Sequence, residues 1–147
     1  MILGWLEWTW LESSGVKIKT KLDTGAKTSS IDATNIKPFE RNGDAWVRFT
    51  VPLSLRTEDT DRGQDLKLER RVIKIIKIKD HIRAPASRYV VNMSICINGK
   101  MIDTPVSLAN RKNFNYPLLL GRSALRENIL VDSSLTFIAS RSCSEPD

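Results

Sequence analysis

VKIKTKLDTGA, residues 16 to 26, alternates strictly as far as Leu22, with Val16, Ile18, Thr20 and Leu22 on one face and Lys17, Lys19 and Lys21 on the other. That period of two is the mark of a half-buried strand. The strand runs straight into Asp23-Thr24-Gly25. Asp and Gly also mark ordinary turns, so the tripeptide alone decides little. Its setting decides more: Ala26 follows, and some 95 residues later the apolar triplet and glycine LLLG, 118 to 121, lead into RSALRENIL. There Leu125 and Ile129 lie four apart, which predicts one short helix.

Outward from this pair the chain reads as β structure. WVRFTVPLSL, 46 to 55, alternates through Val47, Phe49, Val51, Leu53 and Leu55, with Pro52 arguing for an edge or a bulge. RTEDTDRGQD, 56 to 65, is polar and turn-rich and reads as a solvated, irregular connection without chemistry. Residues 66 to 79 predict a long strand whose phase slips among Ile73, Ile75, Ile76 and Ile78, as at a bulge. After the interruption KDHIRAPASR, 79 to 88, alternation resumes in YVVNMSICI, so a long hairpin is expected. Asn98-Gly99 then joins it to KMIDTPVSL, because both residues accept the positive φ of a tight hairpin turn. The expected fold is all-β, mostly antiparallel, with one short C-terminal helix, forming one domain over residues 1–140 and a polar tail over 141–147.

The chain has 147 residues, 41% hydrophobic and 27% charged, which suits one globular domain and excludes low-complexity and collagen-like classes. Its net charge of +6 favours acidic partners. The surplus is local: residues 70 to 88 hold seven Lys and Arg against Asp80. Neither MILGWLEWTWL, with Glu7 and no basic start, nor any later stretch reaches the apolar length of a signal peptide or a membrane span. A soluble, cytoplasmic protein is the expectation. Cys96 and Cys143 lie 47 positions apart, the second in the polar run SRSCSEPD, and offer no disulfide framework to read.

Zinc needs three or four close ligands, which one histidine, His81, and two remote cysteines do not offer. No nucleophile elbow and no phosphate-binding glycine loop occurs, so neither metal nor cofactor is expected. What remains is the carboxylate of Asp23.

KLDTGA, 21 to 26, and LLLGRSAL, 118 to 125, in this order and spacing, resemble the retropepsin-type aspartic peptidases. More narrowly, GWLEW (4 to 8), KLDTGAKTSSIDA (21 to 33) and NYPLLLGRSAL (115 to 125) are similar to a bacterial and archaeal retropepsin-like family labelled an ATP-dependent zinc protease, whose ATP and zinc these residues do not support. The resemblance covers nearly the whole chain. It implies an acid-protease barrel, a catalytic loop of Asp23, Thr24 and Gly25, and Thr24 hydrogen-bonded across a twofold axis. A hairpin with its tip in residues 80 to 88 would close over the substrate. Ala26, Lys27, His81, Arg83 and Arg122 are the candidate substrate-binding residues.

A single carboxylate activates water poorly, whereas two held about 3 Å apart share one proton and divide the roles of acid and base. The chain carries one D-[TS]-G, since Asp132-Ser133-Ser134 lacks the glycine, so catalysis requires a second copy and a homodimer is expected. Lys27 stands where viral relatives carry an acid, beside the retained Arg122. Either a substrate carboxylate separates these two bases, or Lys27 reaches solvent and Arg122 pairs with Glu127 or Asp132. The family also accompanies RimK-type glutamate ligases, which, with Lys27 and the basic stretch, points to Glu-rich peptide substrates. The alternative is a module that keeps the fold without turnover and binds acidic peptide or nucleic acid. Nucleic acid is the less favoured partner, because Trp5, Trp8, Trp10 and Trp46 read first as core or interface residues and no base interleaves the first three.

Overall fold

The computed structural model describes residues 1–12, 14–78, 86–110 and 115–143. Ten strands and one helix follow in order: β1 (Ile2–Leu11), β2 (Lys17–Leu22), β3 (Ser29–Asp32), β4 (Thr34–Arg41), β5 (Asp44–Val51), β6 (Leu66–Ile78), β7 (Ala86–Ile97), β8 (Lys100–Ala109), β9 (Leu118–Leu120), α1 (Arg122–Leu125) and β10 (Leu130–Thr136).

The strand order β1-β2-β9-β3-β8-β7, closed by pairing of Trp10 and Leu11 in β1 with Cys96 and Ile95 in β7, makes a six-stranded barrel. β10 lies parallel to the first half of β1, and β6, β5 and β4 extend the sheet outward from β7. The two halves of β7 therefore do different work. Residues 86–91 pair with β6 in a hairpin that projects beyond the barrel, while residues 95–96 help to close it.

The alternation read in the sequence has its cause in this closure. Ile18, Thr20 and Leu22 point into the barrel and are fully or almost fully buried with Ile31, Val91, Ile95, Val106, Leu118 and Leu120. Each such aliphatic side chain contributes about 1.5–3 kcal/mol. Val47, Phe49 and Val51 of β5 join the same core, and β5 ends at Val51, ahead of Pro52. The bulge expected in β6 falls between Val72 and Lys74. Asn98 and Gly99 take φ 49° and 78° in the β7–β8 turn, as the Asn-Gly reading requires.

Three expectations need correction. The helix stops at Leu125, because Glu127 adopts φ 78°; Ile129 still packs inside, its N–H donating to the Leu125 carbonyl over 2.9 Å. Residues 56–65 are irregular and largely exposed as expected, but more than a plain solvated connection, a strap tied to the barrel: Thr60 bridges to Ile18, the Lys19 N–H donates to the Asp59 carbonyl, and Arg56 joins Asp32 and Asp59 at 3.2 Å each. Cys96 and Cys143 form a disulfide. Separation along the chain hid it, because the end of β7 and residues 137–143 are brought together only by the fold. Nearby, Asn98 Oδ1 accepts the N–H groups of Ser140 and Arg141.

Candidate active site

Leu22 ends β2 inside the barrel, and the chain turns out at Asp23 because a backbone partner waits there. The Asp23 N–H donates to the carbonyl of Leu120 over 2.9 Å, continuing the parallel pairing of β2 with β9 by one residue. Asp23 Oδ1 then accepts the Gly25 N–H at 2.8 Å, and the Ala26 N–H returns to the Asp23 carbonyl at 3.3 Å. The turn thus fixes one carboxylate oxygen. The carboxyl as a whole stays 27% exposed.

The start of α1 is stitched to the far side of this loop. The N–H groups of Arg122 and Ser123 donate to the carbonyls of Ala26 and Lys27 at 2.8 and 3.0 Å, and Arg122 Nη1 donates to the Thr24 carbonyl at 3.0 Å. Gly121 permits this approach: a Cβ there would sit 2.6 Å from backbone atoms of Thr28, so any larger residue forces the two segments apart. Its N–H is taken up by the buried Ser29 Oγ at 3.1 Å. A hydrogen bond of 2.8 Å between the Thr9 and Thr20 hydroxyls links the neighbouring strands β1 and β2 earlier along β2.

Of the residues singled out in the sequence, Asp23, Thr24, Gly25, Ala26, Lys27 and Arg122 are brought together in this one structure. Arg122 makes neither expected ion pair: it holds the Thr24 carbonyl, and Asp132 instead accepts from the N–H and hydroxyl of Ser134, which keep its carboxyl below the ordinary range. Lys27 and Thr24 project to solvent. His81 and Arg83 lie outside the described residues, as do residues 80–85 of the hairpin tip expected at 80–88; residues 86–88 of it belong to β7, and the paired arms of that hairpin are in place, from Val72 opposite Val91 to Ile78 opposite Ala86.

One residue escaped the sequence reading. Lys21 Nζ stands 3.9 Å from Asp23 Oδ2, the oxygen that the turn leaves open. The signal was present, since period two places residues 21 and 23 on one face. The Lys21 side chain is 43% exposed, so the contact is a loose one. Among the described residues no group of three or more His, Cys, Asp and Glu side chains could hold a metal ion, and no helix is long and apolar enough to cross a membrane.

The family model of the RimB-like proteins, described as retropepsin-like aspartic endopeptidase RimB, matches residues 2–142. Two curated relatives, each named probable alpha-L-glutamate ligase, are 37% identical over 137 residues (Shewanella pealeana) and 36% identical over 136 residues (Desulfotalea psychrophila). These matches take in 92% and 91% of the chain but only 29% and 28% of the relatives, so the chain spans less than a third of their length. Among solved structures, protein Lpg0085 of unknown function from Legionella pneumophila superposes with a TM-score of 0.78 at 36% identity, over 95% of this chain and 98% of that one.

Proposed function

The chain belongs to the RimB-like family of retropepsin-like aspartic endopeptidases, and from that premise we propose that it hydrolyses peptide bonds as a homodimer, each copy contributing one Asp23. The observation that carries this reading is the Asp23 loop: a carboxylate with one oxygen locked by the Gly25 N–H and the other open, on a turn pinned from behind by Leu120 and Arg122. A rigid, partly exposed carboxylate can meet its own copy across a twofold axis, and the exposed Thr24 can reach the opposite loop. One carboxylate of the pair then takes a proton from water as its oxygen attacks the peptide carbonyl, and the other protonates the carbonyl oxygen. Collapse of the tetrahedral species delivers a proton to the departing amine and restores the shared proton.

The charge around the loop supports an acidic, Glu-rich peptide as substrate. Lys21 lies beside the open oxygen, Lys27 is exposed two positions beyond Gly25, and the nearby Arg122 adds a third cation. No metal takes part in this scheme.

The test is Asp23→Asn, which is nearly isosteric and removes the shared-proton pair. Hydrolysis of a Glu-rich peptide should vanish while the melting curve and the sedimentation coefficient of the dimer stay those of the parent, and chelators should leave the parent's rate unchanged. Full activity in Asp23→Asn, or loss with a chelator and recovery with zinc, would overturn the mechanism. A parent that is active as a monomer at every concentration would overturn the pairing.

A further inference from the structure

β4, β5 and β6 lie outside the closed barrel, and their alternation sorts two faces. One packs Ile36, Val47, Phe49, Leu66, Leu68 and Val72 against the core. On the other, cross-strand register sets Phe39 beside Trp46 beside Arg71, and Lys37 beside Arg48 beside Glu69. Adding Arg41, Asp44 and Lys67, this outward face carries five bases against two acids. It has a definite internal order. The Phe39 and Trp46 rings lie 6.4 Å apart at 32°. The Arg41 guanidinium lies over both, 5.1 and 4.6 Å from their centroids, and that of Arg48 lies 5.1 Å over Phe39. Glu69 then clamps the two arginines: Oε2 accepts from Arg48 Nε and Nη2 at 2.9 and 2.7 Å, and Oε1 accepts from Arg41 Nη2 at 3.1 Å.

We propose that this outward face of β4–β6 binds single-stranded nucleic acid, the bases stacking on the ring-backed guanidinium planes of Arg41 and Arg48 and the phosphates meeting Lys37 and Lys67.

The choice of occupant follows from which donors remain. A carboxylate-rich peptide seeks the forks of arginine side chains, but Glu69 occupies the Nε edge of Arg48 and a donor of Arg41, and Asp44 holds Arg71 at 3.0 Å. The arginines themselves keep the Glu69 carboxyl below its ordinary range, so the clamp stays charged. Further carboxylates would meet a fixed negative charge in the middle of the face. A base is neutral, and its π face needs only a flat cation with its outer side open, which the clamp and the rings provide. The two lysines are exposed on the flanking strands, Lys37 two residues and Lys67 four residues along from the aromatic row, where a sugar-phosphate chain can pass.

The experiment uses the full chain and a fluorescein-labelled single-stranded RNA of about twelve nucleotides, followed by anisotropy between about 50 and about 200 mM salt. The parent should bind the strand more tightly than the corresponding duplex, with a log–log salt slope near −1.4 for two phosphates at about −0.7 each. Arg41→Gln with Arg48→Gln should weaken binding about tenfold or more, the loss of at least one stacked base. Lys37→Gln with Lys67→Gln, which leaves the clamp intact, should flatten the slope towards zero. Circular dichroism checks that each double variant is folded. A parent that does not hold the strand, or a strand that poly-glutamate of matched charge displaces as well as unlabelled RNA does, would overturn the proposal. So would binding and slope unchanged in the lysine double variant.

Discussion

The loop at residues 22–27 and the connection at residues 52–65, which contains the strap, are both irregular segments hung on the barrel, yet they are held in different ways. The loop is held backbone to backbone: Asp23 to Leu120, Arg122 to Ala26, Ser123 to Lys27. The strap also has backbone bonds, from the Lys19 N–H to Asp59 and from the Asp61 N–H to Lys17, but adds carboxylates to them. Asp65 Oδ1 accepts the N–H groups of Leu53 and Ser54 at 2.9 Å each, Asp61 accepts the Lys17 N–H at 3.0 Å, and Arg56 lies between Asp32 and Asp59. A frame made of backbone leaves its side chains free, and Asp23 keeps one oxygen open for that reason. A frame made of carboxylates consumes them and depends on their charge.

The most severe way to break this contrast is Gly121→Ala. The new Cβ would press on the Thr28 backbone, which cannot rotate aside, so we expect a loss of about 3 kcal/mol or more in urea unfolding together with loss of hydrolysis. Unchanged stability would mean that the frame yields and is not rigid. Arg56→Met attacks the strap instead. It leaves the nearly buried Asp32 without this guanidinium, and about 2–3 kcal/mol should be lost with the hydrolytic rate per folded molecule unchanged. A fall in that rate would show that strap and loop are coupled.

Lys27→Glu tests a side chain that the backbone frame leaves free. If Lys27 faces substrate, the preference for Glu-rich over neutral peptides, read as a ratio of kcat/KM values, should fall by anything up to roughly a hundredfold and be weakened by salt in the parent. An unchanged ratio would leave Lys21 and Arg122 as the cations that matter.

The smallest effect belongs to Asp65. The N–H of Ser54 is the main influence holding its carboxyl below the ordinary range, with Leu53 and Lys67 adding to it. Its folded value is thus depressed, so its contribution is present above about pH 4 and is lost as pH falls through the lower folded value. Asp65→Asn should lower Tm slightly near neutral pH, and the difference should close as pH falls below the ordinary carboxylate value and through the lowered folded one. A difference that persists at the acid end would point to shape and not charge.

The same division explains what could be read from the sequence. β2, the D-T-G turn, LLLG and the Asn98-Gly99 hairpin rest on local alternation and local backbone needs, so composition over a few residues announces them. The strap rests on Arg56 reaching Asp32, 24 positions back, and the disulfide spans 47 residues, so neither leaves a local trace. The helix was overread because Leu125 and Ile129 do share a buried surface, but a left-handed Glu127, and not another helical turn, brings them there. Lys21 was legible in phase and missed because lysines on an outward face read as solvent contacts.

β9 has a further consequence, for the order in which the molecule assembles. It threads between β2 and β3, pairing Leu118, Leu119 and Leu120 with residues 20–22 on one side and Leu119 and Leu118 with residues 30 and 31 on the other. Until those three leucines arrive, β2 and β3 have no shared neighbour, the Asp23 N–H has no acceptor and the thread of the barrel is open. The Asp23 loop therefore leaves the ribosome before the strand that completes its frame. A nascent chain that has emerged only as far as β8 holds the motif without its geometry, and the non-local closure places folding in the slow, millisecond-to-second regime of β-rich topologies.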